Sequence, residues 1–421
     1  MTNETDQSSI DHTALLLRLS RLFNSSLDLK EVLNCVMDEI ILVLKAERGF
    51  IMLQESVGNF QFKVARGIHQ EAILDPQSEI SLSIAHQVAS DGIPVLTSNA
   101  QEDDRFSSRG SVVFLGLRSI LCVPLTIKEK ILGVVYVDNR LVKGIFTHSH
   151  LELLTAIASS AAIAIENARL YLLAIEKGRL ERELQIARQV QVSLLPKDVP
   201  DQPGWEISAL WQPARQVAGD FYDFIRHGQD QLGLLIADVT DKGMPAALFM
   251  ALAHTILRAS LRKPSSAAAD FRRANRLICA ETTSNFFVTV FYIGLDLKSG
   301  QATYVNAGHP PAFLCKAGES MNLISLSRTG MALGIDPDAT FRQQIIQLEP
   351  GDFILGYTDG ITEALNERQE LFGESRLRSE VAKLCMLKPA EILEAVLRSA
   401  REWSINSEYI DDITLLIASR L

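Results

Sequence analysis

In the second half of this 421-residue chain, apolar runs long enough to be strands end or begin on aspartates. Leu234-Leu235-Ile236-Ala237 runs into Asp238, and Phe353-Ile354-Leu355-Gly356-Tyr357-Thr358 runs into Asp359-Gly360. Asp411-Asp412 leads directly into Ile413-Thr414-Leu415-Leu416, and Gly219-Asp220-Phe221-Tyr222-Asp223 opens a further run. A single carboxylate at a strand end is ordinarily a turn former, because Asp bonds its own backbone there. Four such ends brought together would crowd like charges, which raises carboxyl pKa values unless a cation compensates them. The pattern predicts strand ends that converge on bound metal.

The donors in these clusters are oxygens. Of the eight histidines only His148 and His150 are near one another, and neither lies by the acids. Hard oxygen donors favour Mg²⁺ or Mn²⁺ over zinc. Two such ions about 4 Å apart could bridge one water, lower its pKa and align it on a phosphoryl group. There is no GxSxG and no cysteine in a phosphate-cradling loop, so direct attack by metal-bound hydroxide is the expected chemistry.

Length alone favours two domains. Residues from about 11 to 46 read as two helices, with Leu15, Leu16, Leu19 and Leu22 on one face and Leu33, Val36, Met37, Ile40 and Ile41 on another. Strand-like runs follow at 49–53, 60–65, 112–114, 120–125 and 131–138, the last two forming a hairpin about Lys128-Glu129-Lys130. From Ser149 to about Leu195 the pattern is helical, and Ile165, Ala168, Leu172 and Ile175 keep a coiled-coil spacing. It slips at Lys177-Gly178, then resumes with Leu180, Leu184, Ala187, Gln191 and Leu194. Such a segment is either a spacer or a transmitter of rotation. Pro196, Pro200 and Pro203 open a second region of strands at 207–211, 221–224, 232–237, 286–295, 302–306, 312–315, 341–347, 353–357 and 413–418. Its helices are expected at 245–261, 267–281 and 389–403, which together suit two packed sheets with flanking helices.

A net charge of -10 argues against nucleic-acid binding. The acidic, polar N-terminus has no signal-peptide core, and the apolar stretch from Leu153 to Ile165 is too short and too rich in Ala and Ser to span a bilayer. The five cysteines form no CxxC pair and read as reduced thiols. A cytoplasmic location without membrane contact is expected.

Six ordered motifs over residues 180–421 resemble the PPM-type serine/threonine phosphatases of the SpoIIE/RsbU branch. They are Ala187-Arg188-Gln189-Val190-Gln191 with Ser193-Leu194-Leu195-Pro196, Val217-Ala218-Gly219-Asp220-Phe221-Tyr222-Asp223, and Ala237-Asp238-Val239-Thr240-Asp241-Lys242-Gly243-Met244-Pro245. Asn306-Ala307-Gly308-His309-Pro310-Pro311, Tyr357-Thr358-Asp359-Gly360-Ile361-Thr362-Glu363 and Asp411-Asp412-Ile413-Thr414 complete the set. The resemblance implies a β-sandwich flanked by helices, with two Mn²⁺ or Mg²⁺ ions at one end of the sheets. Asp238 would bridge both ions, the Val239 carbonyl would complete one, and Asp359 and Asp411 would hold the other. Asp220 would ligate directly or from the outer shell, and Asp412 would support Asp411. Asp223 is left open between these roles and a turn, and Glu363 reads as a solvated helix residue. The family typically has two glycines before the first Asp, and here Ala218 replaces one of them. The Arg and His that better-known relatives use on phosphate and leaving group are missing, leaving Lys242 or His309 for those roles.

The first half resembles a GAF domain over about residues 28–170. The resemblance is carried by Leu96-Thr97-Ser98-Asn99, Ser119-Ile120-Leu121-Cys122-Val123-Pro124-Leu125, Leu132-Gly133-Val134-Val135-Tyr136-Val137-Asp138-Asn139 and Ala162-Ile163-Ala164-Ile165-Glu166-Asn167. It implies a sheet with helices on one side and a pocket for an unidentified small-molecule ligand on the other, or a domain that only dimerises. Asn139-Arg140 and Phe146 partly echo the motif of cyclic-nucleotide-binding members, but His150 stands where that motif has Asp. Cys122 is expected in the core. The chain therefore divides into an N-terminal helix (1–27), a GAF sensor (28–170), a coiled-coil linker (171–196) and a phosphatase domain (197–421), an α+β protein overall. The expected activity is dephosphorylation of a phosphoprotein, an anti-sigma-factor antagonist in the family, by a homodimer.

Overall fold

Leu33, Val36, Met37, Ile40 and Ile41 recur at helical spacing, and they form the buried stripe of helix α1 (Leu29–Leu44). The computed structural model describes residues 29–56, 59–107, 110–261, 266–282, 286–317, 322–404 and 411–421. The helix expected within residues 1–27 lies outside them. The chain falls into two compact units that divide between Lys177 and Gly178.

The first unit holds one antiparallel sheet of β1 (Arg48–Ser56), β2 (Asn59–Gly67), β3 (Val95–Thr97), β4 (Ser119–Ile127) and β5 (Lys130–Asn139), in the order β2-β1-β5-β4-β3. The expected β4–β5 hairpin is present, turning at Lys128 with positive φ. Alternation along β5 sends Val135 and Val137 to one face and Val134 and Tyr136 to the other. The first face is covered by α1 and by Leu153, Leu154, Ile157, Ala158 and Ala161 of a long helix met below. The second is closed by α2 (Leu82–Asp91) and by Phe50, Phe106 and Tyr136, with Cys122 fully buried as expected. Residues 112–114, expected as a strand, instead close α3 (Gly110–Phe114), where Val112 is buried and Val113 and Phe114 are exposed. Local β-propensity loses to context there, because the segment packs Val112 onto the sheet face instead of pairing at its edge. At one end of that face Arg48 makes a bidentate pair with Asp138 at 2.7–2.9 Å and also reaches Glu79, which accepts from Arg140 as well. Burial pushes Asp138 up to about 7 against the pull of Arg48.

Helix α4 (His148–Leu194) runs without a break through Gly178, where a glycine costs roughly 1 kcal/mol relative to alanine. It is long and apolar enough by length and composition to cross a bilayer, and its first turns, through Leu154, Ile157, Ala161 and Ile165, are packed in the core of the first unit. The two ends of the expected seam are committed within their own units: Ile165 in the first core and Gln191 in the second unit. Between them Leu172, Ile175 and Leu180 are more than half exposed.

The second unit is a sandwich of two five-stranded antiparallel sheets. The first contains β7 (Phe221–His227), β8 (Gln231–Val239), β9 (Val288–Asp296), β10 (Gln301–Ala307) and β13 (Gln344–Gln347), after β6 (Trp205–Gln212) has joined the other. That second sheet has β12 (Asn322–Leu326), β11 (Ala312–Lys316), β14 (Phe353–Tyr357), β15 (Ile413–Arg420) and β6 in spatial order. Leu234, Ile236 and Phe291 of one sheet meet Leu314, Ile354 and Leu416 of the other in the core between them. The outer face of the first sheet is covered by α5 (Met244–Ser260) and α6 (Ala267–Glu281). The other is covered by α8 (Gly373–Leu384) and α9 (Pro389–Trp403), which follow the one-turn α7 (Asp359–Thr362). The strand expected from Phe341 is shortened, because Phe341 packs on Phe271 of α6. Cys315 and Cys385, 70 residues apart, bring their sulfurs to 3.1 Å, a proximity the cysteine spacing did not reveal.

Candidate metal centre

Antiparallel pairing explains why the acids meet. β7 and β8 are neighbours with Phe221 opposite Ala237, so Asp220 before one and Asp238 at the end of the other lie at the same sheet edge. In the second sheet Tyr357 pairs with Leu415, which sets Asp359 after β14 beside Asp411-Asp412 before β15. Both edges belong to one end of the sandwich. Gly360 permits the close approach: a Cβ there would lie 2.0 Å from the Asp412 carbonyl oxygen.

The side chains at this end are highly organised. Asp220, 1% exposed, accepts from Thr358 Oγ1 at 2.7 Å and Thr414 Oγ1 at 2.8 Å, so the first sheet's acid is tied to hydroxyls of the second. Asp412 spends both oxygens on backbone amides, Ala214 N–H at 2.8 Å and Gly219 N–H at 2.7 Å. Its side chain therefore fixes the segment ahead of Asp220, whereas support of Asp411 was the role expected for it. The Ala218 peptide is gripped in turn by the Gln191 amide, which donates to its carbonyl and accepts from its N–H. The Val239 carbonyl lies by Gly219, where a Cβ would be 3.1 Å away.

Oxygens of Asp359, Glu363 and Asp411 lie within 4.8 Å of one another, a spacing that could hold one ion. Glu363 is the residue missed from sequence. Its signal was the Asp-x-x-x-Glu spacing, which puts two carboxylates on one face of a helical turn. Asp411 also pairs with Lys242 Nζ at 2.8 Å.

Electrostatics shows how strongly the acids are crowded. Asp238 is pushed up to about 8, first by burial and then by the charge of Asp359, with Asp411 and Asp412 adding and a hydrogen bond with Asp220 partly offsetting. Asp359 rises to about 6 through burial, then Glu363 and Asp411, against the ammonium of Lys242. Burial, followed by the charges of Asp238 and Asp412, raises Asp220 well above the ordinary range. Carboxylates that hold protons this strongly become good ligands only when a cation replaces the proton. An all-oxygen donor set of this charge fits Mn²⁺ or Mg²⁺.

Asp223 and His309 stand apart. Asp223 shares a strand face with Phe221 and Ile225, under α5, where Arg258 and His254 Nε2 (3.2 Å) pair with it. It is a structural ion pair away from the acid edge. His309 is fully buried, with its ring Nδ1 2.8 Å from Thr289 Oγ1 and its backbone N–H donating to Asn306 Oδ1. Burial pushes it down to about 3, so it stays neutral and cannot serve as the proton donor considered for it.

The profile of the family described as Stage II sporulation protein E (SpoIIE) matches residues 228–421, and that of the GAF domain matches residues 28–165. Protein IcfG of Synechocystis sp. is 32% identical over 273 residues, which cover 58% of this chain and 43% of IcfG. Phosphoserine phosphatase RsbU of Bacillus subtilis is 32% identical over 188 residues, 45% of this chain and 56% of RsbU. The chain thus spans about half the length of the curated relatives it matches. The SiaA-PP2C domain of Pseudomonas aeruginosa shares the fold, with a TM-score of 0.52 and 21% identity over 59% of this chain and 99% of that one.

The geometry has consequences for stability. Because Asp238 and Asp359 bind protons more tightly folded than unfolded, their stabilising contribution is complete below 3.8 and is lost as pH rises through about 6 and about 8. Chelator-treated protein should therefore show a melting temperature that falls between pH 6 and 8 more steeply than in Asp238→Asn, and Mn²⁺ should raise it more at pH 8 than at pH 6. Equal slopes in the two proteins would refute the coupling. Gly360→Ala should destabilise by roughly 1–3 kcal/mol in denaturant unfolding, the cost of overpacking against the Asp412 backbone. By these matches, residues 28–165 are a GAF domain and residues 228–421 match the SpoIIE family, in a unit that shares the fold of a PP2C domain.

Proposed function

We propose that the chain is a Mn²⁺- or Mg²⁺-dependent protein phosphatase acting on phosphoserine or phosphothreonine of a signalling partner, with its GAF domain as regulator. The observation that carries this reading is the meeting of Asp238, Asp359 and Asp411 at one end of the sandwich, with Asp238 and Asp359 raised in pKa by burial and by neighbouring acids. Asp238 would contact two ions, with the Val239 carbonyl on one of them and Asp359, Asp411 and Glu363 on the other. When bound, the ions supply Lewis-acid charge to the phosphoryl group and an activated water. Asp220 works from behind, held by Thr358 and Thr414 so that the two sheets keep the ligands in register. Asp412 keeps the backbone of 214–219 in place. The name of RsbU, a phosphoserine phosphatase, supports the substrate class, and an anti-sigma-factor antagonist is the partner the motifs suggest.

The regulator would act through α4 within a parallel homodimer in the cytoplasm. Leu172, Ile175 and Leu180 offer an exposed apolar seam for a second copy, while Gln191 ties the far end of the same helix to Ala218 beside the acids.

With Mn²⁺ and a phosphoserine protein, hydrolysis should fall by about three orders of magnitude in Asp238→Ala and Asp359→Ala, since losing the metal's charge forfeits several kcal/mol in the transition state. Calorimetry should show Mn²⁺ binding to the parent protein and its loss in both variants. Absence of millimolar Mn²⁺ binding by the parent protein would instead favour a domain that only docks partners. Leu172→Glu combined with Leu180→Glu should convert the dimer to monomer in sedimentation, and an unchanged mass would rule out this seam.

A further inference from the structure

The acid edge gathers Asp220, Asp238, Asp359, Glu363, Asp411 and Asp412, and the loop that follows Asp238 sends an ammonium back into it. The loop is Thr240-Asp241-Lys242-Gly243, between β8 and α5. Asp241 takes a left-handed conformation (φ 73) and its carboxylate accepts the Lys242 N–H at 2.8 Å. Gly243 follows at φ 82 and ψ -155, a region essentially open only to glycine. These two unusual conformations, one on each side of it, hold Lys242 with its Nζ 2.8 Å from Asp411 Oδ2. An ion pair between side chains that are 34% and 24% exposed adds little to stability, so stability does not account for a loop shaped in this way.

A phosphoester explains it better. The substrate is a dianion approaching a surface dense in carboxylates. A further positive charge in front of the edge would favour the phosphoryl group over water. His309 is buried and neutral, so it cannot supply that charge. Lys242 is partly in solvent, and its flexible four-carbon stem lets the ammonium leave Asp411 for a ligand at the same edge. Asp411, when it serves as a ligand, would hold the ammonium less strongly and leave Lys242 to reach substrate.

We infer that Lys242 is a substrate contact, whose ammonium binds the phosphoryl group of the phosphoester and, after hydrolysis, inorganic phosphate. The inference rests on the phosphatase reading above. In the full-length protein, Lys242→Gln and Lys242→Arg are to be compared with the parent for Mn²⁺ affinity by calorimetry, for KM and kcat, and for binding of inorganic phosphate in saturating Mn²⁺. Expected is a rise of about tenfold to a hundredfold in KM and in the phosphate dissociation constant for Lys242→Gln, the worth of one charge-assisted hydrogen bond. Lys242→Arg should restore part of it, and neither variant should bind Mn²⁺ more weakly. If Lys242→Gln keeps KM and phosphate affinity, the lysine is only a partner of Asp411 and the inference is overturned. It is overturned as well if the defect is weaker Mn²⁺ binding that vanishes at saturation. A parent protein that binds Mn²⁺ but hydrolyses no phosphoester overturns the phosphatase reading itself, and this inference with it.

Discussion

Repulsion between carboxylates at one end of a β-sandwich is the constraint around which the C-terminal half is arranged. Asp238 and Asp359 are half-buried near other acids, and both are pushed to hold protons above the usual carboxyl range. A fold does not gather such groups for stability, since each buried charge costs free energy unless it is paired. A divalent cation reverses the balance, turning mutual repulsion into shared attraction to one ion. The site is thus strained without charge compensation and relaxed when a cation is present, which ties metal binding to folding.

The surroundings limit that strain by fixing the ligand-bearing segments from outside. Asp220 joins the sheets through two threonine hydroxyls, and Asp412 spends itself on two backbone amides. Gln191 holds the next peptide along, so a residue of helix α4 stands two bonded contacts from the acids. This is a physical route by which the order or rotation of a helix could alter ligand geometry. Ala218, in place of a glycine, is accommodated because its methyl is buried while its peptide groups face Gln191.

The N-terminal unit invests its polar groups differently. Arg48 and Asp138 form a nearly solvent-free pair at the end of a sheet face otherwise filled by Phe50, Phe106 and Tyr136. Removing one partner of such a pair leaves a buried charge uncompensated, so the two act as a unit that fixes how this face closes. Asn139, which partly echoes a ligand motif in the sequence, accepts from the Leu141 and Val142 amides and shapes the turn after β5.

Much of this was legible along the chain. Apolar runs with aspartates at their ends marked β8, β14 and β15 and singled out Asp238, Asp359 and Asp411, because strand periodicity and charge at a strand end are local properties. Helices such as α6 and α9 were equally plain from their spacing. Residues 112–114 were misread because three strand-prone side chains cannot reveal whether an edge is free to pair. Asp223 and His309 could not be assigned from pattern, since each depends on what faces it, and the Asp359-x-x-x-Glu363 spacing marks a shared helical face but not what that face meets. Glu363 meets Asp411 only because β14 and β15 are neighbours, and Asp223 leaves the acids only because α5 covers its side of β7. His309 is neutral because the sandwich closes over it. Local sequence determines which residues seek burial and where strands stop. Sheet order and register, set by pairing between segments far apart in the chain, decide which of those ends share a site.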